Sequence, residues 1–472
     1  MTENQTGTGS TVGGPADERA SVVERPEDQR YPASGLFVYG LQHILTMYGG
    51  VIAPPLIIGG AAGLSPADQG LLVTAALFVS GLATLLQTLG LPGFGARLPI
   101  VQGISFASVS TMVAIASKDG LRPVFGAILV AGVIGVLISP FFSQLVRLFP
   151  PVVTGSIITV IGLSLLPVSF GWAMGDNAKA PSYGSVGNIA LAGFTLLVIL
   201  LISRLFQGPL SRLSILLGIV VGTLVAIPFG VNKFALVGQG PIVALPPVLH
   251  FGSPTFQIGA IVSMTIVILV IMTETTADIL AIGEIVGTEV SPRRVGDGLR
   301  ADMGSTAVAA LLGSFPCSAF AQNVGLVALT KVKSRYVVAM GGAILAVLGL
   351  LPVVGRVVAA IPMPVLGGAG LVLFGSVAAS GIRTLATVNY HDNLNLVLVA
   401  VAVGMGVLPI AAPAFWNRFP EWFGLIMHSG ISAASIAAVL LNLFFNEWKA
   451  FRRPGASVFA AAPERGVVPP QH

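Results

Sequence analysis

An apolar part of the chain is interrupted by polar residues in the stretch Phe315-Pro316-Cys317-Ser318-Ala319-Phe320-Ala321-Gln322-Asn323-Val324-Gly325-Leu326-Val327-Ala328-Leu329-Thr330-Lys331. Pro316 lacks a backbone donor and bends the chain. Ser318, Gln322 and Asn323 bring hydrogen-bonding groups to a place where hydrocarbon would penalise them. Gly325 allows another backbone or a ligand to approach closely. Such a broken segment is suited to binding a polar solute rather than to anchoring the protein.

The composition indicates an integral membrane protein with many spans. Of the 472 residues, 54% are hydrophobic and 9% are charged, whereas soluble domains carry roughly 25% charged residues. The 58 glycines and 32 prolines are typical of transmembrane helices that pack closely and break locally. The net charge of +5 does not indicate nucleic-acid binding, because the basic residues lie in short loops and at the termini. The single cysteine, Cys317, excludes an internal disulfide and is interpreted as a small residue in a packed span.

Apolar runs predict fourteen membrane spans between two polar tails. Residues 1–34 are polar and rich in Gly, Ser and Pro, which predicts a disordered cytoplasmic tail, and residues 448–472 are expected to form a second tail. The predicted spans are 36–58, 69–91, 98–117, 123–146, 151–172, 188–206, 211–230, 257–283, 301–315, 317–331, 336–354, 363–382, 393–411 and 428–446. Spans three and ten are short and interrupted.

The distribution of basic residues predicts the orientation. With the N-terminus inside the cell, 18 of the 24 Lys and Arg residues fall in inside segments and 6 fall in outside segments. This threefold excess is the one expected for cytoplasmic loops. The sequence therefore predicts a multi-pass protein of the plasma or inner membrane with both termini in the cytoplasm.

The two halves of the chain match each other at an offset of 213 residues. The matched positions are Pro151 with Pro364, Gly155 with Gly368 and Gly162 with Gly375. A shift of 217 residues, from Pro99 to Pro316, pairs the two interrupted spans. Because each half has seven spans, the second half enters the membrane from the opposite side. Inverted repeats with paired interrupted spans are typical of secondary transporters with a midplane site.

Span eight carries two carboxylates on one helical face. Glu274 and Asp278 are four residues apart, and no Lys or Arg lies in that span to neutralise them. Ionisable residues inside spans are functional candidates. A carboxylate in this position can take up a proton on one side of the membrane and release it on the other. It can also accept hydrogen bonds from the ring N–H groups of a ligand.

Three further ionisable residues lie in or near predicted spans. Asp302 is expected to open span nine. Because Arg300 is two residues away, an alternative interpretation is an acid at the membrane interface near a basic loop. His43 follows Gln42 in span one and is either a hydrogen-bonded core residue or a group that orients a carboxylate or shuttles a proton. Glu284, near the cytoplasmic end of span eight, is interpreted as a solvated charge.

The interrupted span three contains Pro99-Ile100-Val101-Gln102-Gly103-Ile104-Ser105-Phe106-Ala107. Gly103 and Ser105 favour exposed backbone and close approach. Phe106 either offers a flat face for a planar ring or packs against a neighbouring helix. The N-termini of the two half-helices would bring positive dipole ends to the midplane, which suits a polar or anionic ligand.

The run from Gln322-Asn323-Val324-Gly325 to Thr330 resembles the signature of the nucleobase–ascorbate transporters, also called nucleobase:cation symporter-2. That signature reads Gln, Glu or Pro, then Asn, any residue, Gly, four residues and Thr. The resemblance extends over residues 34–451. It implies roles for nine residues: base recognition by Glu274, Gln322, Phe106, Ser105, Ala321 and Asp278, support of the site by Asn323, and proton coupling by His43, Glu274 and Asp302.

The resemblance also implies an architecture. It is an all-α polytopic fold with a seven-plus-seven inverted repeat, in which spans 1–4 (35–149) and 8–11 (257–356) form a core domain. Spans 5–7 (150–231) and 12–14 (361–447) form a gate domain, through which two copies form a homodimer. The core would move like an elevator, with H⁺ as the coupling ion and neither cofactor nor metal.

The residue at the first signature position indicates the substrate. Xanthine and urate carriers of the family tend to have Gln there, uracil carriers Glu and ascorbate carriers Pro, so Gln322 points to an oxidised purine. An amide supplies both a donor and an acceptor, as an oxo-purine edge requires. The alternatives are a uracil or broader nucleobase carrier, and an anion exchanger or channel of the related fold, which Glu274 disfavours by repelling anions. No constellation with catalytic or metal-ligand spacing supports an enzyme.

Overall fold

The computed structural model describes residues 25–230, 237–238, 240–391 and 394–448, and its regular elements there are helices and two three-residue strands. The predicted disorder of the N-terminal tail is wrong for residues 25–34, which form a 3-10 turn at Pro26–Asp28 and the start of α1. Residues 1–24 and 449–472 of the predicted tails and part of the linker between the halves lie outside the described residues. The first half contains α1 (Ala33–Ala61), α2 (Pro66–Leu89), β1 (Gln102–Ile104), α3 (Val109–Asp119), α4 (Leu121–Ile138), α5 (Phe142–Leu145), α6 (Pro151–Met174), α7 (Val186–Leu205), α8 (Pro209–Arg212) and α9 (Ser214–Ala226). The second half contains α10 (Ile258–Val286), α11 (Pro292–Leu311), β2 (Cys317–Ala319), α12 (Ala321–Thr330), α13 (Arg335–Gly349), α14 (Pro352–Ala359), α15 (Met363–Leu385), α16 (Leu394–Ala411), α17 (Glu421–Met427) and α18 (Gly430–Asn442).

Nine of the described helices are long and apolar enough to cross a membrane, namely α1, α2, α4, α6, α7, α10, α15, α16 and α18 with its π-helical extension. A tenth candidate is the pair α13 and α14, which is bent by 78°. The other predicted spans correspond to α9, α11 and the two strand–helix segments, which are shorter or more polar. The number fourteen therefore stays a prediction.

The predicted start of span nine at residue 301 is wrong. Helix α11 begins at Pro292, where the side chain of Ser291 accepts a hydrogen bond from the amide of Arg294 and caps the helix. Hydropathy misses these first turns because they carry several charged residues. Asp302 consequently lies in the middle of a helix and is fully buried, rather than opening it.

Helix α6 begins at Pro151 and α15 has the matched Pro364 as its second residue, and the two helices pack against each other along their length. A Cβ atom at Gly162 would lie 2.2 Å from the backbone nitrogen of Ala378, and one at Gly381 would lie 2.3 Å from that of Thr159. Small residues at these crossings let the two backbones come this close.

Helix pairings in one half recur in the other with the roles of the halves exchanged. Helix α2 packs on α13 as α11 packs on α4, and α1 packs on α13 as α10 packs on α4. Likewise α7 packs on α15 as α16 packs on α6. Two halves that exchange partners in this way confirm the predicted inverted repeat, while the number of seven spans in each half stays a prediction. The most extensive pairings join helices within two groups, one of α1–α4 and α10–α14 and the other of α6–α9 and α15–α18. The predicted boundaries of the core and gate domains stay predictions.

The segment before α1 is held to the second half by two ion pairs. Glu27 is 1% exposed, and its Oε1 accepts a hydrogen bond of 2.7 Å from Nη2 of Arg294 in α11. Asp28 Oδ1 accepts one of 2.6 Å from Nε of Arg335 at the start of α13. This segment therefore connects the starts of two helices that are distant in sequence.

A Glu27→Gln substitution should lower stability by about 3 kcal/mol, because it leaves the Arg294 charge largely buried without its counter-charge. The measurement is the thermal midpoint of the purified protein in detergent. The matched control is Glu289→Gln, since Glu289 is exposed on the loop before α11. Equal midpoints for the two variants would contradict a stabilising role of the Glu27 pair.

Candidate functional site

The two interrupted spans meet as a short antiparallel pair of strands. Gln102 pairs with Ala319, Gly103 with Ser318 and Ile104 with Cys317, and all six residues are buried. The pairing continues at both ends, where the amide of Ser105 donates to the carbonyl of Pro316 and the amide of Phe320 donates to that of Val101. The central residues of the strands are 215 positions apart, between the two offsets found in the sequence. The predicted pairing of the interrupted spans is thus confirmed.

The two helix N-termini that follow the strands differ in their capping. In the first half, Ser105 Oγ accepts a hydrogen bond of 3.3 Å from the amide of Ala107, so the turn before α3 is capped. In the second half, Phe320 occupies the N-cap position of α12 and no side chain caps the helix. The N-terminus of α12 is therefore the one whose amide groups stay available for a ligand. Ser105 is 1% exposed, and its predicted contact with a substrate stays a prediction.

The expected exposure of backbone at Gly103 is wrong, because the ring of Phe320 covers that residue. A Cβ atom at Gly103 would lie 2.3 Å from Cε2 of Phe320. At Gly325, a Cβ atom would meet nothing within 4 Å. Among the described residues no other backbone approaches Gly325, so that expectation is wrong. The approach of a ligand there stays a prediction.

The adjacent polar residues of the signature face different surroundings. Gln322 is exposed, as is Ala321 before it. Asn323 is 1% exposed, and its Nδ2 donates to the carbonyl oxygen of His43 at 3.0 Å and lies 3.1 Å from the ring Nδ1 of His43. Because the amide nitrogen donates, Nδ1 accepts, and a neutral ring carries its proton on Nε2. The contact ties α1 to α12 and favours the hydrogen-bonded core interpretation of His43.

A hydrogen-bonded chain connects α11, α10 and β2. Thr275 Oγ1 donates to Asp302 Oδ2 at 2.7 Å and accepts from the amide of Ala319 at 3.2 Å. Glu274 precedes this threonine in sequence and is half-buried, as is Asp278 one turn further along α10. Thr275, the residue after Glu274, therefore links α10 to β2, while the predicted contact of Glu274 and Gln322 with one substrate stays a prediction.

The alternative of an interfacial acid at position 302 is not supported. Arg300 Nη1 pairs with Asp297 and donates to the carbonyl of Gly93, so it is directed away from Asp302. Asp302 has no exposed surface, and its Oδ1 has no hydrogen-bond partner among the described residues.

Phe106 contacts a helix of the other predicted domain. Its ring lies 6.0 Å from that of Phe374 in α15, in an edge-to-face arrangement at 73°. Phe374 is fully buried, whereas Phe106 is half-buried. Packing against a neighbouring helix is thus present, and stacking on a substrate stays a prediction.

A cavity of about 590 Å³ runs beside α3. Ser110, one turn after Phe106, lines it, and Lys118 lines it near the end of α3. Its other wall is formed by residues of α6, of α16 and of the segment 416–430. The cavity therefore lies between elements of the predicted core and gate domains.

The sequence reasoning missed three contributors to this region: Thr275, Thr306 and Phe320. Thr306 Oγ1 accepts a hydrogen bond of 3.1 Å from the amide of Cys317, which is buried as predicted for a packed residue. The sequence feature that could have identified Thr275 is its position between Glu274 and Asp278 of α10. Among the residues that the structure describes, no group of three or more His, Cys, Asp and Glu could hold a metal ion.

Comparison with known proteins gives one family and several relatives of similar length. A family model described as the Permease family matches residues 34–415. The chain is 41% identical over 439 residues to the uric acid transporter UacT of Escherichia coli, covering 91% of this chain and 90% of that protein. It is 39% identical to the uric acid permease PucJ of Bacillus subtilis, with 87% and 92% covered. It is 38% identical to the xanthine permease of the same organism, with 86% and 93% covered.

Solved structures with little sequence identity share the fold. The transmembrane domain of the cyanobacterium bicarbonate transporter BicA matches with a TM-score of 0.55 at 16% identity, covering 87% of this chain and 97% of that one. SLC26A9 matches with a TM-score of 0.61 at 12% identity, covering 88% and 66%. At this level of identity the likeness extends to the architecture alone.

Proposed function

The chain belongs to this Permease family, the nucleobase–ascorbate transporters, and from that premise we propose that it carries xanthine or uric acid across the cell membrane together with protons. One observation carries the proposal. Thr275, the neighbour of Glu274 in sequence, accepts a hydrogen bond of 3.2 Å from the amide of Ala319, two residues before the uncapped start of α12 that carries Gln322. This link supports a site at the crossing of the two halves in which a carboxylate, an amide and backbone donors act together.

The chemistry of these groups fits an oxidised purine. The Glu274 carboxylate accepts hydrogen bonds from ring N–H groups, and the Gln322 amide both donates to a carbonyl and accepts from an N–H group. The backbone amides of Ala321 and Gln322 at the start of α12 favour an electron-rich carbonyl edge. Ring stacking by the half-buried Phe106 would complete recognition.

Proton coupling is assigned to the carboxylates near β2. Glu274, Asp278 and Asp302 lie on two neighbouring helices, and α10 carries no basic side chain between residues 258 and 286. Protonation of one of these groups removes a charge from the membrane interior, which makes movement of the loaded site less costly. His43 supports the site through Asn323.

Movement of the core against the gate is supported by the contacts between them. The cavity beside α3 lies between the two groups along residues 110–118. Besides the ring contact of Phe106 with Phe374, the groups touch through two hydroxyl pairs, Thr111 with Ser429 at 2.6 Å and Ser263 with Ser432 at 2.9 Å. Such small polar contacts are exchanged more readily than interlocked large side chains. We therefore propose an elevator-like movement, with both termini in the cytoplasm.

A homodimer through the gate domain is the proposed assembly. Helices α7 and α16 are the least buried of the candidate spans, with 17% of their apolar windows buried. They are equivalent in the two halves and carry exposed side chains such as Leu197, Leu200 and Val401. These surfaces are available to lipid or to a second copy.

Uptake experiments test the proposed function. Cells that express the protein should accumulate radiolabelled xanthine or uric acid, and a proton uncoupler should abolish the accumulation because the gradient drives it. Uracil, guanine and bicarbonate are the competing substrates in the same assay. Cells with an empty vector provide the background.

Two outcomes would contradict the proposal. Uptake of neither oxidised purine would exclude the substrate class, and uptake that is indifferent to the uncoupler would exclude proton coupling. Preferred uptake of uracil would instead favour a broader nucleobase carrier, and uptake of bicarbonate alone would favour an anion transporter of this fold.

A further inference from the structure

We infer that Thr275 is a positioning residue, which transmits the charge state of Asp302 to strand β2 and so to the substrate-binding end of α12. This inference rests on the proposed function, since it concerns how proton binding reaches the purine site. It starts from three neighbouring threonines of α10. Thr273 Oγ1 donates to the carbonyl of Leu269, and Thr276 Oγ1 donates to that of Met272, within their own helix. Thr275 Oγ1 instead donates to Asp302 on α11.

The hydroxyl of Thr275 is both a donor and an acceptor in one chain. The Ala319 amide donates to Oγ1 at 3.2 Å, and the Oγ1 hydroxyl donates to Asp302 Oδ2 at 2.7 Å. Hydrogen bonds in such a chain polarise one another, and an ionised acceptor strengthens them. The bond between Thr275 and β2 is therefore stronger when Asp302 carries its charge.

The other half of the repeat has no such chain among its described residues. The first amide of each strand is held alike, that of Gln102 by Thr84 Oγ1 at 2.9 Å and that of Cys317 by Thr306 Oγ1 at 3.1 Å. Thr84 in turn donates to the carbonyl of Ser80 at 2.8 Å, not to a carboxylate. Among the described residues, the contact with an acid is found only in the half that carries Gln322. Thr275 can therefore have a coupling role that a threonine supporting a strand does not have.

The free oxygen of Asp302 identifies where the proton binds. Oδ1 is buried without a partner, while Oδ2 is occupied by the threonine hydroxyl. A proton added to Oδ1 neutralises the carboxylate and weakens Oδ2 as an acceptor. The titratable groups that face Asp302 are Asp278 on α10 and Cys317 on β2. Helices α2 and α4, which also pack on α11, carry charges only near their ends, at Asp68 and Arg122, and α5 carries none.

Protonation of Asp302 therefore acts on the purine site by changing the position of the N-terminus of α12, not by a direct contact of Asp302 with the purine. Strand β2 leads through Phe320 directly into α12, so a looser Ala319 amide lets the N-terminus of α12 move relative to Glu274. Binding of the purine and binding of the proton are coupled by this shift.

The test compares the Michaelis constant of purine uptake from mildly acidic to mildly alkaline external pH. The wild-type constant should depend on external pH, because protonation of Asp302 weakens the hydrogen-bonded chain that holds β2 and the start of α12. Thr275→Val, which keeps the shape and removes the hydroxyl, should reduce this pH-dependent change by about tenfold. Thr275→Ser should restore it. If the valine variant does not reach the membrane, Thr275→Cys replaces it, since a thiol weakens both hydrogen bonds.

The matched control is Thr306→Val, which removes a hydroxyl that holds the same strand without a carboxylate in its chain. It should raise the Michaelis constant at every pH and keep the wild-type pH dependence. A wild-type pH dependence in the Thr275 variants would overturn the inference, as would an equal loss of pH dependence in Thr306→Val. Absence of purine uptake by the wild type would instead overturn the proposed function.

Discussion

Uptake of xanthine and uric acid should fall to background in a Glu274→Gln variant. Glu274 directly precedes Thr275, which accepts a hydrogen bond from the amide of Ala319 at the end of β2, next to the start of α12. An ionised acceptor contributes about 1.5–3 kcal/mol to a hydrogen bond, which corresponds to about 10- to 150-fold in affinity. A glutamine also cannot take up the proton that symport requires. The variant loses both the strong hydrogen bond to the purine and the proton-binding group. Transport itself should therefore stop, beyond the loss of affinity.

The same helix provides a control for this substitution. Glu284 lies ten residues further along α10 and is exposed. Glu284→Gln should therefore leave uptake unchanged and show that loss of one acid from the helix is tolerated. Membrane levels of both variants should be measured by immunoblot. Normal uptake by a well-expressed Glu274→Gln variant would remove Glu274 from the site.

The broken spans and the intramembrane acids could be predicted because each leaves a mark in the sequence. Pro99 and Pro316 interrupt apolar runs, and the Gln322-Asn323 pair is too polar for a lipid-facing helix. An acid such as Glu274 in a segment without basic residues is conspicuous for the same reason. The family signature then assigned these residues to one site.

The connections within the site could not be predicted, because residues of the same type make different contacts. Thr273 and Thr276 bond to their own helix while Thr275 bonds across to α11, and no local pattern distinguishes the three. A threonine hydroxyl in a helix ordinarily donates to a carbonyl of its own helix. Strands of three residues likewise have too little periodicity to be recognised, so the contact between Phe320 and Gly103 was missed.

The start of α11 shows the limit of hydropathy as a guide. Its first turns are polar, yet they are helical because Ser291 caps the helix and Pro292 occupies its first position. Capping signals were present in the sequence and would have placed Asp302 inside the helix. The difference between the capped turn at Ser105 and the uncapped one at Phe320 was also readable at those positions.

A Gly103→Ala substitution should reduce purine uptake at least tenfold, because it adds a methyl group where the Phe320 ring lies. The added Cβ would be 2.3 Å from Cε2 of Phe320 and 2.9 Å from Cε of Met47. The ring has no space on its other side, where a Cβ at Gly50 would lie 2.7 Å from its Cε1. Overpacking of this kind costs about 1–3 kcal/mol. Since Phe320 precedes α12 directly, its displacement moves the helix end that presents Gln322.

The control and a rescue distinguish this effect from general sensitivity to alanine. Gly375→Ala should retain uptake and thermal midpoint, because a Cβ at Gly375 meets nothing within 4 Å. Adding Phe320→Leu to Gly103→Ala should recover part of the midpoint, since the smaller side chain vacates the overlapping ring positions. The two substitutions should then be non-additive, as expected for residues in contact. Equal uptake by the Gly103 and Gly375 variants would show that the ring is not confined by β1, and that α12 is positioned by its other contacts alone.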